Sequence, residues 1–152
     1  MLPINKILWP TDFSEPSYNA LKSAVEMAEK FGSTLYLVHV IAPIPAVAGP
    51  MGPAGFDVSL YQEELKKSAS KKLKQISENK VPEKIKIQTI IKHGEAATEI
   101  NRAAKEENID LIVIATHGET GLGHLIFGSV AEKVVRNASS PVLTIRVSEE
   151  KD

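Results

Sequence analysis

The residues best suited to chemistry in this chain lie in one glycine-bearing stretch, Ala115-Thr116-His117-Gly118-Glu119-Thr120-Gly121-Leu122-Gly123-His124-Leu125-Ile126-Phe127-Gly128-Ser129. Gly118, Gly121, Gly123 and Gly128 permit backbone conformations that turn N–H groups toward an anion. Gly128-Ser129 opens a helical pattern, and the head of a helix offers unpaired amides and the positive end of its dipole. The Ser129 hydroxyl can donate to a phosphate oxygen, and His117 and His124 can add donors. The same residues also have a ligand-free reading. Ser129 and Glu132 match S-x-x-E, a capping box that satisfies a helix start without any anion. A glycine-rich turn needs no ligand either.

A second group is Pro10-Thr11-Asp12, directly after the apolar run Ile4 to Trp9. The Asp12 carboxylate suits accepting hydrogen bonds from a ribose or an adenine amine. It equally suits capping the next helix or closing a local Asx turn. His39, inside the apolar run Thr34 to Val40, reads as a packed core histidine rather than a ligand.

Two residue groups so far apart in sequence can act together only if the elements around them converge. Ile4–Trp9 is the first expected strand. Ser14 caps a helix that runs through Leu21, Ala24, Val25 and Ala28 to a stop at Gly32. Thr34–Val40 is a second strand. Residues 42–57 alternate prolines with glycines, which neither a helix nor a central strand tolerates, so a surface loop is expected. Tyr61, Leu65, Ala69, Leu73 and Ile76 mark a long amphipathic helix, with Ser59 and Gln62 as its capping box. A third strand covers residues 85–92, Gly94 turns the chain into a helix with Ala96, Ile100, Ala103 and Ala104, and Asp110–Thr116 is a fourth strand. A helix from Ser129 to Asn137 and a fifth strand, Pro141–Val147, complete the series.

Strands alternating with helices imply a single-domain open α/β fold: a five-stranded parallel sheet with helices on both faces. Strands buried on both faces read as unbroken apolar runs, whereas edge strands alternate. The first, second and fourth look central; the third and fifth look like edges. With right-handed crossovers this gives the order 3-2-1-4-5. The winding reverses between strands one and four, and a crevice opens beyond their carboxyl ends. Pro10-Thr11-Asp12 and the glycine stretch both end there. One domain over residues 1–148 and a charged tail over 149–152 are expected.

Bulk properties narrow the function classes. Lys and Arg number 18 against 19 Asp and Glu, a net charge of −1, so nucleic-acid or anionic-membrane binding finds no support. The absence of cysteine excludes disulfides and thiol chemistry and is compatible with a reducing compartment. The first apolar run is too short for a signal peptide, and no stretch approaches the ~20 apolar residues of a membrane span, so a soluble cytoplasmic protein is expected. There is no G-x-x-x-x-G-K-[ST] loop, no G-x-G-x-x-G opening the first helix, no G-x-S-x-G elbow and no metal-ligand spacing.

The opening ILWPTDFSE, the His39-Val40 pair and the block ATHGETGLGHLIFGSVAEKVVRNASSPVLTIR together resemble the universal stress protein family over essentially the whole chain. The resemblance implies a Rossmann-like domain of the adenine nucleotide alpha hydrolase type. In nucleotide-binding members the pattern is G-x2-G-x9-G-[ST]. Here Ala115, Gly118, Gly128 and Ser129 take those places with the spacers intact, and Ala115 departs from glycine. The resemblance implies that Asp12 holds the adenosine end and that the Val40 backbone pairs with the adenine edge. It implies that Gly118, Gly128, Ser129 and Val130 line the phosphates, with Pro10, Thr11, Ala115, Thr116 and His117 flanking them. ATP, AMP or ADP is the implied ligand, with Mg²⁺ as the nucleotide's companion, and a homodimer through the last strand, Val142–Val147, is the implied assembly. No catalytic residue is assigned, because Asp12 and His117 are the only bases in reach and neither has an evident orienting partner; hydrolysis is expected to be slow at most. The alternatives are a nucleotide-free protein-interaction module of the same family, which Ala115 favours, and a slow ATPase.

Overall fold

A computed structural model describes residues 2–44, 57–117 and 127–147. The Pro/Gly segment from 45 to 56, Gly118, Gly121, Gly123, His124 and the tail lie outside the described residues. The elements run β1 (Lys6–Pro10), α1 (Glu15–Phe31), β2 (Thr34–Ile41), α2 (Val58–Lys80), β3 (Ile87–His93), α3 (Ala96–Glu106), β4 (Leu111–Ala115), α4 (Ser129–Asn137) and β5 (Val142–Ile145).

All strand pairings are parallel and the order is β3-β2-β1-β4-β5, as the polarity of the strands implies. Every residue of β4 is buried, and so is every residue of β1 after Lys6, whereas β3 and β5 have only half-buried and exposed positions. Successive side chains of a strand point to opposite faces. Ile7, Trp9, Leu35, Leu37 and Val113 therefore pack against Ala20, Leu21 and Ala24 of α1 and Leu73 and Ile76 of α2. Leu8, Tyr36, Val38, Ile112 and Ile114 pack against Ala97, Ile100 and Ala103 of α3 and Val134 of α4. Both helix-covered faces are thus built from one alternation. No helix among the described residues is long and apolar enough to cross a membrane.

Helix starts show where sequence pattern and structure part. Ser14 caps α1 as expected, its side chain accepting from the Ser17 amide. For α2 the expected Ser59–Gln62 box gives way to Asp57, whose Oδ1 accepts from the Leu60 amide at 3.1 Å. A carboxylate at that place also meets the positive end of the helix dipole, which a serine hydroxyl does less well. For α3 the cap is Glu95, accepting from the amide and the hydroxyl of Thr98. These contacts hold the Glu95 carboxyl below its ordinary range.

Gly32 ends α1 in the left-handed region, φ 68°, with its amide donating to the Ala28 carbonyl. A Cβ there would meet nothing within 4 Å, so the glycine serves backbone conformation and not space. Gly32→Ala is expected to cost about 1 kcal/mol by chemical denaturation, with no change in the native fold.

Candidate functional site

The turn after β1 is held by an unbroken hydrogen-bond chain. Trp9 is fully buried, and its indole N–H donates to the Ser17 carbonyl at 2.8 Å, bringing the first turn of α1 onto β1. The Ser17 hydroxyl donates to the Ser14 carbonyl at 2.8 Å. Its proton is thereby committed, so in the 2.8 Å contact between Thr11 Oγ1 and Ser17 Oγ the threonine is the donor. Thr11 Oγ1 in turn accepts from the Phe13 amide at 2.9 Å, and the Thr11 amide donates to the Val38 carbonyl at 2.8 Å. Phe13 sits at φ 63°, which reverses the chain into the helix. Asp12, between them, is exposed, and its Oδ1 accepts from the Ser14 amide at 3.0 Å: the local Asx turn is formed.

His39 is a partial correction to the core reading. It is half-buried, and its Nδ1 lies 2.8 Å from the Thr11 carbonyl. A carbonyl can only accept, so Nδ1 carries the proton. The imidazole stacks on the Phe13 ring with centroids 4.4 Å apart, and Lys72 Nζ lies 4.9 Å from that ring's centroid. His39, Phe13, Val40, Pro43, Leu65 and Lys72 line a groove of about 540 Å³ between the end of β2 and α2. Sequence polarity missed this because a histidine inside an apolar run looks the same whether it faces packed side chains or a groove.

Across the reversal point, Ala115 closes β4 and its methyl packs in the core on the α1 side. Thr116 is 3% exposed; its amide donates to the Ile145 carbonyl at 3.0 Å, and its hydroxyl meets His117 Nδ1 at 3.0 Å. The Thr116 carbonyl accepts from the Gly128 amide at 2.5 Å, which clasps the head of α4 to the end of β4. Gly128 is the N-cap of α4, and no side chain caps this helix. The Ser129–Glu132 capping box of the ligand-free reading is not formed. Ser129 is the first helical residue instead of the cap, and the Glu132 carboxylate pairs with Arg136. Ser129 and Val130 are exposed, so the helix head is not covered by neighbouring side chains among the described residues.

Pro10, Thr11 and Asp12 therefore stand at the carboxyl end of β1. Val40 stands near that of β2 on one side, and Ala115, Thr116 and His117 stand at that of β4 on the other. Gly128, Ser129 and Val130 are joined to them through Thr116. Gly118 falls outside the described residues.

The sequence profile of the universal stress protein family matches residues 3–146. The chain belongs to the universal stress protein family. It is 37% identical over 141 residues to universal stress protein MJ0531 of Methanocaldococcus jannaschii, a match covering 93% of this chain and 81% of that one. The solved structure of MJ0577, a universal stress protein of the same archaeon, superposes with a TM-score of 0.76 at 30% identity, covering 97% and 99% of the two chains. The fold is shared by more distant members solved with ligands. A universal stress protein from Archaeoglobus fulgidus in complex with dAMP has a TM-score of 0.59, 23% identity and coverage of 95% and 98%. One in complex with cAMP has a TM-score of 0.66, 17% identity and coverage of 95% and 98%.

Burial, and after it the Lys72 ammonium, pushes the His39 imidazole below its ordinary 6.5, against the opposing pull of the Thr11 carbonyl and Asp12. Between that lowered value and 6.5 the unfolded chain binds more protons at this site than the folded one, so stability rises with pH across the window and falls on acidification. NMR titration of the imidazole is expected to give a midpoint below 6.5. His39→Asn is expected to flatten the pH dependence of stability in that window relative to the parent chain.

Proposed function

We propose that this universal stress protein is a regulatory module that binds an adenine nucleotide, ATP or its AMP and ADP relatives, in the crevice between the ends of β1 and β4. The observation that carries the reading is the head of α4: an N-terminus with no capping side chain among the described residues, an exposed Ser129, and a cap residue, Gly128, drawn by its amide to the end of β4. Such a helix start suits a phosphate. Asp12 would hold the adenosine end and the Val40 backbone the adenine edge. Gly118, Gly128, Ser129 and Val130 would serve the phosphates, with Pro10, Thr11, Ala115, Thr116 and His117 forming the walls. The dAMP and cAMP complexes of distant members support an adenylate over other anions.

Ala115 does not argue against this. Its methyl packs in the core on the α1 side, whereas α4 lies on the other face of the sheet. Among the described residues no group of three or more His, Asp or Glu side chains could hold a metal ion, so the reading assigns no protein cage to Mg²⁺, which would arrive on the phosphates. Hydrolysis is slow at most in this reading, which assigns no general base: Asp12 is given to the adenosine end, and His117 Nδ1 lies within hydrogen-bond distance of the Thr116 hydroxyl. Residues 1–148 form the nucleotide-binding unit, followed by the charged tail, and the proposed site of action is the cytoplasm. A homodimer through Val142–Val147 completes the proposal. It is supported by the exposed Leu143 on β5, which among the described strands has only β4 as a neighbour in the sheet.

Isothermal titration with ATP and Mg²⁺ tests the reading. Ser129→Ala and Asp12→Ala are each expected to weaken binding about tenfold or more, the loss of one charge-assisted hydrogen bond. Binding weaker than millimolar, or an affinity that neither substitution moves, would refute it.

A further inference from the structure

We infer that His39 is a positioning residue that fixes the direction of Asp12 through the backbone of the turn after β1. Its bearing on a ligand rests on the adenylate reading; its bearing on the turn does not. Phe13 occupies the left-handed region at φ 63°, a conformation that is strained for a residue with a Cβ and persists only where the surroundings enforce it. The enforcing contacts converge on Thr11 and Phe13. The Thr11 amide is tied to Val38 and its hydroxyl to Ser17 and the Phe13 amide. That leaves the Thr11 carbonyl, which His39 Nδ1–H holds at 2.8 Å.

This carbonyl shares a peptide plane with the Asp12 amide. The plane is rigid, so holding its oxygen also sets the orientation of the Asp12 N–Cα bond. The Phe13 ring meets both the His39 imidazole, with centroids 4.4 Å apart, and the Lys72 ammonium, 4.9 Å from its centroid. Asp12 thus lies between two residues that His39 touches, one through a hydrogen bond and one through ring stacking. Its carboxylate is then locked by the Ser14 amide at 3.0 Å. A histidine that only filled space would not need its ring nitrogen on this one carbonyl.

Amide hydrogen exchange on the full chain tests the inference without any ligand. His39→Leu keeps bulk and removes the donor; His39→Asn keeps an N–H near the Nδ1 position. In His39→Leu the Phe13 and Ser14 amides are expected to exchange at least tenfold faster while those of Ala24 and Val113 keep their rates, and His39→Asn restores most of the protection. If His39→Leu does not fold, His39→Gln, whose amide lies one carbon farther out, takes its place. Unchanged rates at Phe13 and Ser14, or faster exchange throughout the protein, would overturn the inference. Titration with ATP and Mg²⁺ is the second arm. If the parent chain binds, His39→Leu is expected to raise Kd about tenfold and His39→Asn to recover it, and an unmoved Kd beside altered exchange would overturn the link to Asp12. If the parent chain does not bind, the adenylate reading fails by itself, and the exchange rates still decide the role of His39.

Discussion

Burying an indole requires a partner for its N–H, and much of the carboxyl edge of this sheet follows from how Trp9 meets that demand. Its partner is the carbonyl of Ser17, in the first turn of α1. The bond draws the helix start back over the end of β1, so the chain must reverse within Thr11, Asp12 and Phe13. The same serine receives the Thr11 hydroxyl and donates to Ser14, and no buried side-chain polar atom of the reversal is left unmatched. The turn is therefore an extension of the core and not a loop laid over it. An exposed carboxylate carried on such a turn is presented on a rigid base.

The other bank of the crevice is made differently. Among the described residues, the head of α4 is held to the end of β4 through backbone, the Thr116 carbonyl accepting from the Gly128 amide. A side-chain cap would have satisfied the first amides of α4 internally and closed them to an anion. Ser14, Asp57 and Glu95 do this for the other three helices. In the proposed adenylate reading, the bank carrying Asp12 would supply an acceptor for the sugar and the head of α4 would supply donors for the phosphates.

The sheet order was legible because burial on two faces leaves a plain mark: Leu111 to Ala115 is apolar at every position, whereas Ile87 to His93 is not. The ends of α1 were legible for a related reason, since Ser14 and Gly32 meet local backbone needs that depend on few other residues. The capping boxes were not. Ser59–Gln62 and Ser129–Glu132 both fit the pattern, but a pattern does not say which residue is the last outside the helix. Asp57 lies two residues before Ser59, and Gly128 one before Ser129. His39 was misjudged because its neighbours Phe13 and Lys72 come from other elements, and no spacing along the chain brings them together.

The pairing of β1 with β4 has a consequence of its own. Their register runs over Ile7 with Leu111 and Leu8 with Ile112, whereas β2 and β3 are matched from Leu35 with Ile87 through Ile41 with His93. Pro10, with no N–H, cannot add a rung. The sheet is thus stitched most sparsely along the one seam where the crevice opens, with β3-β2-β1 on one side and β4-β5 on the other. A guest held by Asp12 on the first half and by the head of α4 on the second would supply cross-links that the backbone omits. Occupancy and cohesion of the two halves would then be a single thermodynamic quantity, rising together as RT ln(1 + [L]/Kd).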